Sequence, residues 1–463
     1  MNTSTDTIVA PATASGGAIA VIRLSGPEAI ACCDRIFRGR KPLAEAAGHT
    51  LHYGEVIDGD RTIDDVVAAI YRAPHSYTGE DAVELSCHGS PYIVSEIIAL
   101  LLRSGARMAQ PGEFTIRAFL AGRMDLAQAE AVADLIASDS RASHAMASTQ
   151  MRGGYSAALG ALRDELLQLA SLLELELDFS EEDVQFADRA RLREMMHRIE
   201  SEITRLTDSF RLGNTIKKGV AVAIVGEPNV GKSTLLNRLL GDERALVSDI
   251  AGTTRDVIEE TLNIDGLPFR FIDTAGIRET NDTIESLGIE RTFQKLEQAE
   301  IVLWMIDATD ATSQMNQLSG QILPRLERKH LILVFNKADL LGTAHSDEVL
   351  SAASSIIPDA ECIFISAKKR QNTDVLQKKL IAAANLPTIT QNDVIVTNAR
   401  HYEALTHALE AIGRVQQGLA NNLSGDFVAQ DIRECIFHLS DIAGEVTNDM
   451  VLQNIFQHFC IGK

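Results

Sequence analysis

A glycine-rich turn between an apolar run and an amphipathic one constrains this chain more than any other stretch. Val220–Val225 is wholly apolar, Gly226-Glu227-Pro228-Asn229-Val230-Gly231-Lys232-Ser233 follows, and helical spacing runs from Thr234 to Leu240. The pattern G-x-x-x-x-G-K-S, leaving a strand and opening a helix, is a phosphate-binding loop in its required setting. Its glycines let backbone N–H groups curl around an anion without a Cβ clash. The helix start adds the positive end of a dipole. Lys232 is expected to reach β- and γ-phosphates, and Ser233 to bind Mg²⁺. The alternative is a glycine-rich turn that fits by chance, and the motifs that follow weigh against it.

Asp273-Thr274-Ala275-Gly276 follows the strand candidate Phe269–Ile272. An Asp there can hold magnesium through water, and Gly276 can offer its N–H to a γ-phosphate. Alone, D-T-A-G is also an ordinary turn. Asn336-Lys337-Ala338-Asp339 follows the strand candidate Leu331–Phe335. The Asp339 carboxylate can accept from the N1–H and N2–H₂ edge of guanine. Adenine lacks that donor pair, and such a site can reject an analogue by about 10⁴–10⁵. Ser366-Ala367-Lys368 follows Cys362–Ile365 and would support the base from its other side. Order and spacing match a translation-factor-type GTPase. Between the first and second motifs lies Gly252-Thr253-Thr254-Arg255-Asp256, with Thr254 the candidate switch threonine for Mg²⁺ and γ-phosphate; a solvated loop is the rival reading.

One position departs from Ras-like enzymes. The water-orienting Gln after D-x-x-G is replaced by Ile277, which can neither orient nor deprotonate water. Glu285 could reach the site if its loop orders, although spacing alone favours a solvated acid. No arginine is an obvious finger, so a term of about 10³–10⁵ in rate falls to some other positive charge.

Around this domain the texture changes twice. Strand candidates Val220–Val225, Glu260–Ile264, Phe269–Ile272, Ile301–Ile306, Leu331–Phe335 and Cys362–Ile365 alternate largely with helical patterns, the mark of a doubly wound parallel sheet. Ile264-Asp265-Gly266-Leu267 reads as a hairpin turn. Residues 1–121 mix strands (Ala18–Leu24, Val66–Tyr71) with a helix over Tyr92–Arg103, an α+β texture. Leu126–Ser140, Ala158–Glu176, Arg191–Leu212, His401–Leu419 and Val428–His438 have helical spacing, and no proline lies between Pro111 and Pro228. The simplest arrangement is an α+β domain (1–121), a helical domain in two parts (122–215 and 383–463) and a P-loop GTPase domain (216–382) inserted into it. A length of 463 residues accommodates this.

Composition bounds the rest. No apolar run approaches the roughly 18–20 residues of a membrane span, and the first ten residues lack the pattern of a secretory signal. Cys32, Cys33, Cys87, Cys362, Cys435 and Cys460 make no zinc spacing, which suits a reduced, cytoplasmic chain. Cys32-Cys33 reads as a buried free pair. A net charge of −21 speaks against a general nucleic-acid grip. The local basic cluster Arg35, Arg38, Arg40 and Lys41 either meets nucleic-acid phosphate or is a solvated loop. His75 and His88 with Cys87 do not complete a metal site, and Glu181-Glu182-Asp183 reads as a solvated acidic loop.

Further motifs carry a resemblance over the whole chain: Ser76-Tyr77-Thr78-Gly79-Glu80-Asp81, Pro111-Gly112-Glu113-Phe114-Thr115 with Arg117-Ala118-Phe119-Leu120, Asp125-Leu126-Ala127-Gln128-Ala129-Glu130-Ala131, and the terminal Cys460-Ile461-Gly462-Lys463. With the GTPase set, in this order, the chain resembles the MnmE (TrmE) family of tRNA-modifying GTPases. The resemblance implies a homodimer formed through the N-terminal domain, which holds a tetrahydrofolate derivative. It implies an FAD-dependent partner, MnmG, in a heterotetramer that installs an aminomethyl or carboxymethylaminomethyl group at C5 of the tRNA wobble uridine. It further implies that K⁺ supplies the charge of the missing arginine finger. By position, Asn229 would ligate K⁺ through its side chain, with the carbonyls of Ser248, Ile250 and Thr253. The GTP-contact set would be Asn229, Val230, Gly231, Lys232, Ser233 and Thr234; Ser248, Asp249, Ile250, Ala251, Gly252, Thr253 and Thr254; Asp273, Thr274, Ala275 and Gly276; Asn336, Lys337, Ala338 and Asp339; and Ser366, Ala367 and Lys368. Glu285 aligns with the family's water-positioning glutamate. Arg23, Glu84, Arg123 and Lys463 align with the folate pocket, and Cys460 with a cysteine implicated in the modification. Two departures stand out: a short Ala14-Ser15-Gly16-Gly17 before the Arg23 strand, and Arg123 where some members have Lys, which changes donor geometry. Two other readings stay open, an RNA-binding ribosome-assembly GTPase and a GTP-controlled switch without chemistry of its own. The first would need an appended RNA module such as a KH loop, which the sequence lacks; stoichiometric folate binding would speak against the second.

Overall fold

The computed structural model describes residues 6–14, 16–178, 189–244, 260–272, 296–326, 329–342, 345–358, 360–387, 393–421, 423, 425–445, 452, 455–456, 459 and 462. The chain divides into two compact units, one of Met1–Ala137, Ala147–Thr204 and Glu403–Lys463, the other of Ser138–Met146 and Arg205–Tyr402.

The first unit opens with β1 (Ile8–Pro11), β2 (Ile19–Ser25), α1 (Ala29–Asp34), β3 (Phe37–Gly39), β4 (Thr50–Asp58), β5 (Arg61–Tyr71), β6 (Ala82–His88), α2 (Pro91–Arg103), β7 (Arg107–Met108) and α3 (Glu113–Leu120). The strands form one sheet in the order β3-β4-β5-β6-β2-β1-β7, antiparallel except for β1 with β7. Period-2 alternation divides its residues between two faces. Ile22, Leu24, Val66, Ala68, Ile70, Val83 and Leu85 pack against Ile30 and Cys33 of α1 and Ile97 and Leu101 of α2. The intervening residues point the other way, and there Ile19, Leu51 and Tyr53 are 67%, 73% and 69% exposed.

The unit continues with α4 (Leu126–Ala137), α6 (Gly154–Asp178), the first half of α7 (Arg189–Lys218), most of α12 (Ala399–Ala420) and α13 (Gly425–Ala443). The Asp125 motif starts α4: the Asp125 carboxylate accepts from Gln128 N at 2.8 Å while Gln128 Oε1 accepts from Asp125 N at 3.0 Å, a reciprocal cap. The helix expected to run to Ser140 stops at Ala137. Ser140 and Ser143 exchange side-chain and backbone hydrogen bonds that begin α5 (Arg141–Met151) instead. Short hydroxyl side chains compete for backbone groups and favour a cap over a helix interior.

The second unit carries β8 (Val220–Val225), α8 (Lys232–Arg244), β9 (Glu260–Ile264), β10 (Leu267–Phe271), β11 (Ile301–Asp307), α9 (Ala311–Ile322), β12 (His330–Asn336), α10 (His345–Ile356), β13 (Glu361–Phe364) and α11 (Thr373–Ala384). The sheet order is β13-β12-β11-β8-β10-β9, parallel except for the β9–β10 hairpin. Asp265 and Gly266 both have positive φ, 53° and 84°, as a two-residue type I′ turn requires. The central strands β8 and β11 are apolar nearly throughout because both faces are covered: Leu303 and Met305 enter one core, and Val302, Trp304 and Ile306 the other.

Candidate active site

Parallel strands deliver their carboxyl ends to one edge of a doubly wound sheet, where ligands bind. Three expected segments meet there, together with the end of a further strand. β8 ends in the glycine-rich loop, β11 ends at Asp307, β12 ends at Asn336, and β13 leads into Ser366-Ala367-Lys368. In the loop Gly226 has φ 146° and Gly231 φ 102°. A Cβ at Gly226 would stand 2.1 Å from the Met305 carbonyl, and one at Gly231 would stand 2.3 Å from Asn336 Nδ2. Only glycine fits either place. Asn229 adopts a left-handed φ of 63°, which asparagine tolerates better than most residues. Lys232 Nζ donates to the carbonyls of Gly226 (2.8 Å) and Glu227 (2.7 Å), so its ammonium lies inside the loop's curl. Ser233 and Thr234 sit in the first turn of α8, and Ser233 is partly accessible. A strand-to-helix loop with these φ values, a lysine within and a hydroxyl at the helix start fits a phosphate chain with a divalent cation.

Asn336 is buried at 4% exposure, and both ends of its amide are bonded. Nδ2 donates to the Val230 carbonyl at 2.7 Å, and Oδ1 accepts from Ala367 N at 3.0 Å. One side chain thus ties the phosphate loop to the Ser366 loop. Lys337, at φ 64°, bonds the Asp307 carboxylate at 2.6 Å. Asp339 is held below the usual carboxylate range, first by a hydrogen bond with Ser366 and then by Lys369, whose Nζ lies 3.2 Å from its Oδ2. Ser366 Oγ accepts from Lys369 N at 3.2 Å, and Ala338 N donates to the Ile365 carbonyl at 3.0 Å. The Asp339 carboxylate is therefore ionised and fixed. Sequence reasoning missed Asp307 and Lys369; the signal for Asp307 was its place at the end of an apolar strand. Ser248, Asp249, Ile250, Ala251, Gly252, Thr253, Thr254, Asp273, Thr274, Ala275, Gly276 and Glu285 lie outside the described residues, as do Cys460 and Lys463.

The first unit holds a second constellation. Arg23 and Glu84 are register partners on β2 and β6, with Nε and Nη2 of Arg23 each 2.8 Å from Glu84 Oε1. Arg23 Nη1 donates to the Gly462 carbonyl at 3.3 Å. The guanidinium carbon lies 5.5 Å from the Tyr77 ring centre and 5.8 Å from that of Phe114, within cation–π range. Tyr77 hydroxyl pairs with Thr115 at 3.0 Å, and burial raises its pKa. Gly462 has φ 95°, and a Cβ there would lie 2.2 Å from the Pro11 carbonyl. Arg123 is exposed; a Cβ at Gly79 would lie 3.6 Å from its Cγ.

The two N-terminal motifs have a structural task as well. Arg117 bonds Glu113 (3.0 Å), Glu80 (3.2 Å) and Asp6 (2.8 Å), while Arg107 bonds Glu113 and Asp6. Arg117 is 8% exposed, so its charge is compensated by three carboxylates rather than water. Cys32 and Cys33 are buried and free. His88 pairs with Asp64 at 2.7 Å. In the basic cluster, Arg38 is already paired with Glu55 and Arg35 bonds the Ser104 carbonyl. Among the described residues no helix is long and apolar enough to cross a membrane.

A family model described as "GTP-binding protein TrmE N-terminus" matches residues 7–123, and one described as "MnmE helical domain" matches residues 126–460. Over 462 residues the chain is 65% identical to a Bacteroides fragilis protein named tRNA modification GTPase MnmE, covering 99% of each. It is 64% identical over 463 residues to the protein of that name from Bacteroides thetaiotaomicron, again with 99% of each covered. A solved structure of Era with MgGDPNP and 16S ribosomal RNA aligns at 34% identity over 41% of this chain and 65% of its own, with a TM-score of 0.29.

Proposed function

Because this chain belongs to the MnmE family of tRNA modification GTPases, we propose that it is a potassium-activated, magnesium-dependent GTPase that works as a cytoplasmic homodimer. With an FAD-containing MnmG-type partner, it adds an aminomethyl or carboxymethylaminomethyl group to C5 of the tRNA wobble uridine, drawing the carbon from a tetrahydrofolate derivative. Residues 1–121 would bind folate and form the dimer, 122–215 and 383–463 the helical domain, and 216–382 the GTPase domain.

The observation that carries the folate reading is the bond from Arg23 to the Gly462 carbonyl. It supports bringing the terminal Cys-Ile-Gly-Lys to a paired guanidinium flanked by two aromatic rings. That donor and acceptor set suits a flat heterocycle with amino and carbonyl edges. Arg23, Glu84, Arg123 and Lys463 would hold it, with Cys460 serving the modification. The exposed apolar sheet face of Ile19, Leu51 and Tyr53 supports the dimer, since patches of this kind mark interfaces.

In hydrolysis, Lys232 and the loop N–H groups would hold the β- and γ-phosphates. Asn336 keeps that loop in register with the base-binding segments, and Asp339 selects guanine. Ser233 and Thr254 would ligate Mg²⁺, and Asn229, Ser248, Ile250 and Thr253 would ligate K⁺; bound, these cations would offset charge developing on the phosphates. Glu285 would orient the attacking water.

Two measurements test this reading. Turnover of GTP should rise strongly in potassium over sodium at equal ionic strength, and equal rates would sink the potassium assignment. A bacterial strain lacking its own family member should regain modified wobble uridine, by mass spectrometry of tRNA nucleosides, with this chain but not with Asp339→Asn. Recovery with neither, while GTP is still hydrolysed in vitro, would overturn the modification chemistry proposed.

A further inference from the structure

We infer that Asp307 is a positioning residue for guanine-nucleotide binding, acting through Lys337; this rests on the guanine-site reading above. β11 and β12 are adjacent parallel strands, and their last paired positions are Asp307 and Asn336. Lys337 comes one residue later in a left-handed conformation of φ 64°, which breaks the strand's alternation at that point. Its ammonium bonds Asp307 Oδ2 at 2.6 Å. The other carboxylate oxygen is held by Thr309, from the backbone N at 3.0 Å and from Oγ1 at 2.7 Å. The Asp307 N–H in turn donates to Oε1 of the buried Gln314 at 3.0 Å. Asp307 is thus fixed on every side before it meets the lysine, and its carboxylate stays ionised: burial opposes this, but the Lys337 and Thr309 bonds outweigh it.

One consequence follows for the base site. Pinning the ammonium stretches the lysine stem across the gap between two strand ends, at the edge where Asp339 waits two residues on. A stem already ordered need not be ordered by the nucleotide, so binding retains more of its free energy. The pair is partly shielded, with the Asp307 side chain 15% exposed, so it should persist at physiological salt better than a surface pair.

The test uses the full chain and a fluorescent GDP whose release is followed by stopped flow. Asp307→Asn keeps the shape but loses the charge. Release should accelerate roughly ten-fold, the scale of one charge-assisted hydrogen bond, with KM for GTP rising in parallel and kcat at saturation nearly constant. Lys337→Met should accelerate release at least as much, and adding Asp307→Asn to it should change little. Should Asp307→Asn fail to fold, Thr309→Val carries the test, with a smaller acceleration in the same direction that Lys337→Met likewise abolishes. A release rate unchanged by Asp307→Asn, or full additivity in the double variant, overturns the tether. If Lys337→Met alone leaves release unchanged, it is the placement of Lys337 at the nucleotide that fails.

Discussion

Replacing Asn336 with Ala tests whether one buried amide holds the nucleotide site together. The side chain is 4% exposed and makes its two bonds to backbone groups of separate loops, Val230 O at 2.7 Å and Ala367 N at 3.0 Å. Truncation strands a buried carbonyl and a buried N–H. Each costs about 1–3 kcal/mol when its partner is removed, so roughly 3 kcal/mol in total is a moderate expectation. For a unit of this size about 2–4 °C is lost per kcal/mol, which puts the fall near 6–12 °C. Scanning calorimetry of the full chain, with and without GDP and Mg²⁺, reads this directly. Ligand raises the transition of the unit it binds, so the GDP-responsive transition identifies itself. That transition should fall in Asn336→Ala and respond less to GDP, because the phosphate loop has lost its brace. Asn336→Asp should do no better, since a carboxylate cannot donate to the Val230 carbonyl. A GDP-responsive transition within about 2 °C of the native value, with unchanged GDP affinity, would refute the brace.

Three further outcomes are expected. Asp339→Asn should lose GTP and gain xanthosine triphosphate, because an amide can both accept from N1–H and donate to the 2-oxo group; competition binding with the two nucleotides reads the switch, and retained GTP preference would exclude Asp339 as the base reader. Gly462→Ala forces a Cβ to 2.2 Å from the Pro11 carbonyl at a φ of 95°; tetrahydrofolate affinity by calorimetric titration should fall roughly ten-fold while GDP affinity is retained, and retained folate affinity would separate the C-terminus from the Arg23 site. Burial pushes the Glu113 pKa up, but bonds from Arg107, the Gln110 N–H and Arg117 outweigh it and leave the pKa lowered. Its ionic contribution to stability is therefore full above the ordinary glutamate value of about 4.3 and is lost as pH falls through the lower folded value. Chemical denaturation of Glu113→Gln should show a deficit at neutral pH that narrows in acid; a constant deficit would mean that the carboxylate charge is not what stabilises.

The second unit was the more legible because its central strands are apolar on both faces and its hairpin carries an Asp-Gly turn. Val220–Val225 and Glu260–Ile264 fall where the sequence placed them, and the other G-domain strands shift by one or two residues at their ends. β4 was missed. Thr50–Asp58 carries His52, Glu55 and Asp58, and only Gly54 and Val56 are buried, so its period is blurred by a face open to solvent. The helix read over Leu126–Ser140 ends three residues early, at Ala137, and α5, which the Ser140 and Ser143 bonds begin, was not read at all because its apolar residues are mostly alanine.

Motifs named residues that the structure brings to one sheet edge, but not how those residues bond to one another. Asn336 was read only as one of the GTP contacts, beside Asp339. In the structure its amide donates to Val230, 106 residues away, and accepts from Ala367, 31 residues away. Linear spacing carries neither relation. Asp307 shows the same gap, because its partner Lys337 lies 30 residues on, across a strand pairing. With the Asn336 amide engaged at both ends by backbone, discrimination between guanine and other bases would, under the function proposed, fall chiefly on the Asp339 carboxylate. That is why the two substitutions should separate: Asn336→Ala weakens every nucleotide that uses the phosphate loop, whereas Asp339→Asn changes which base is chosen.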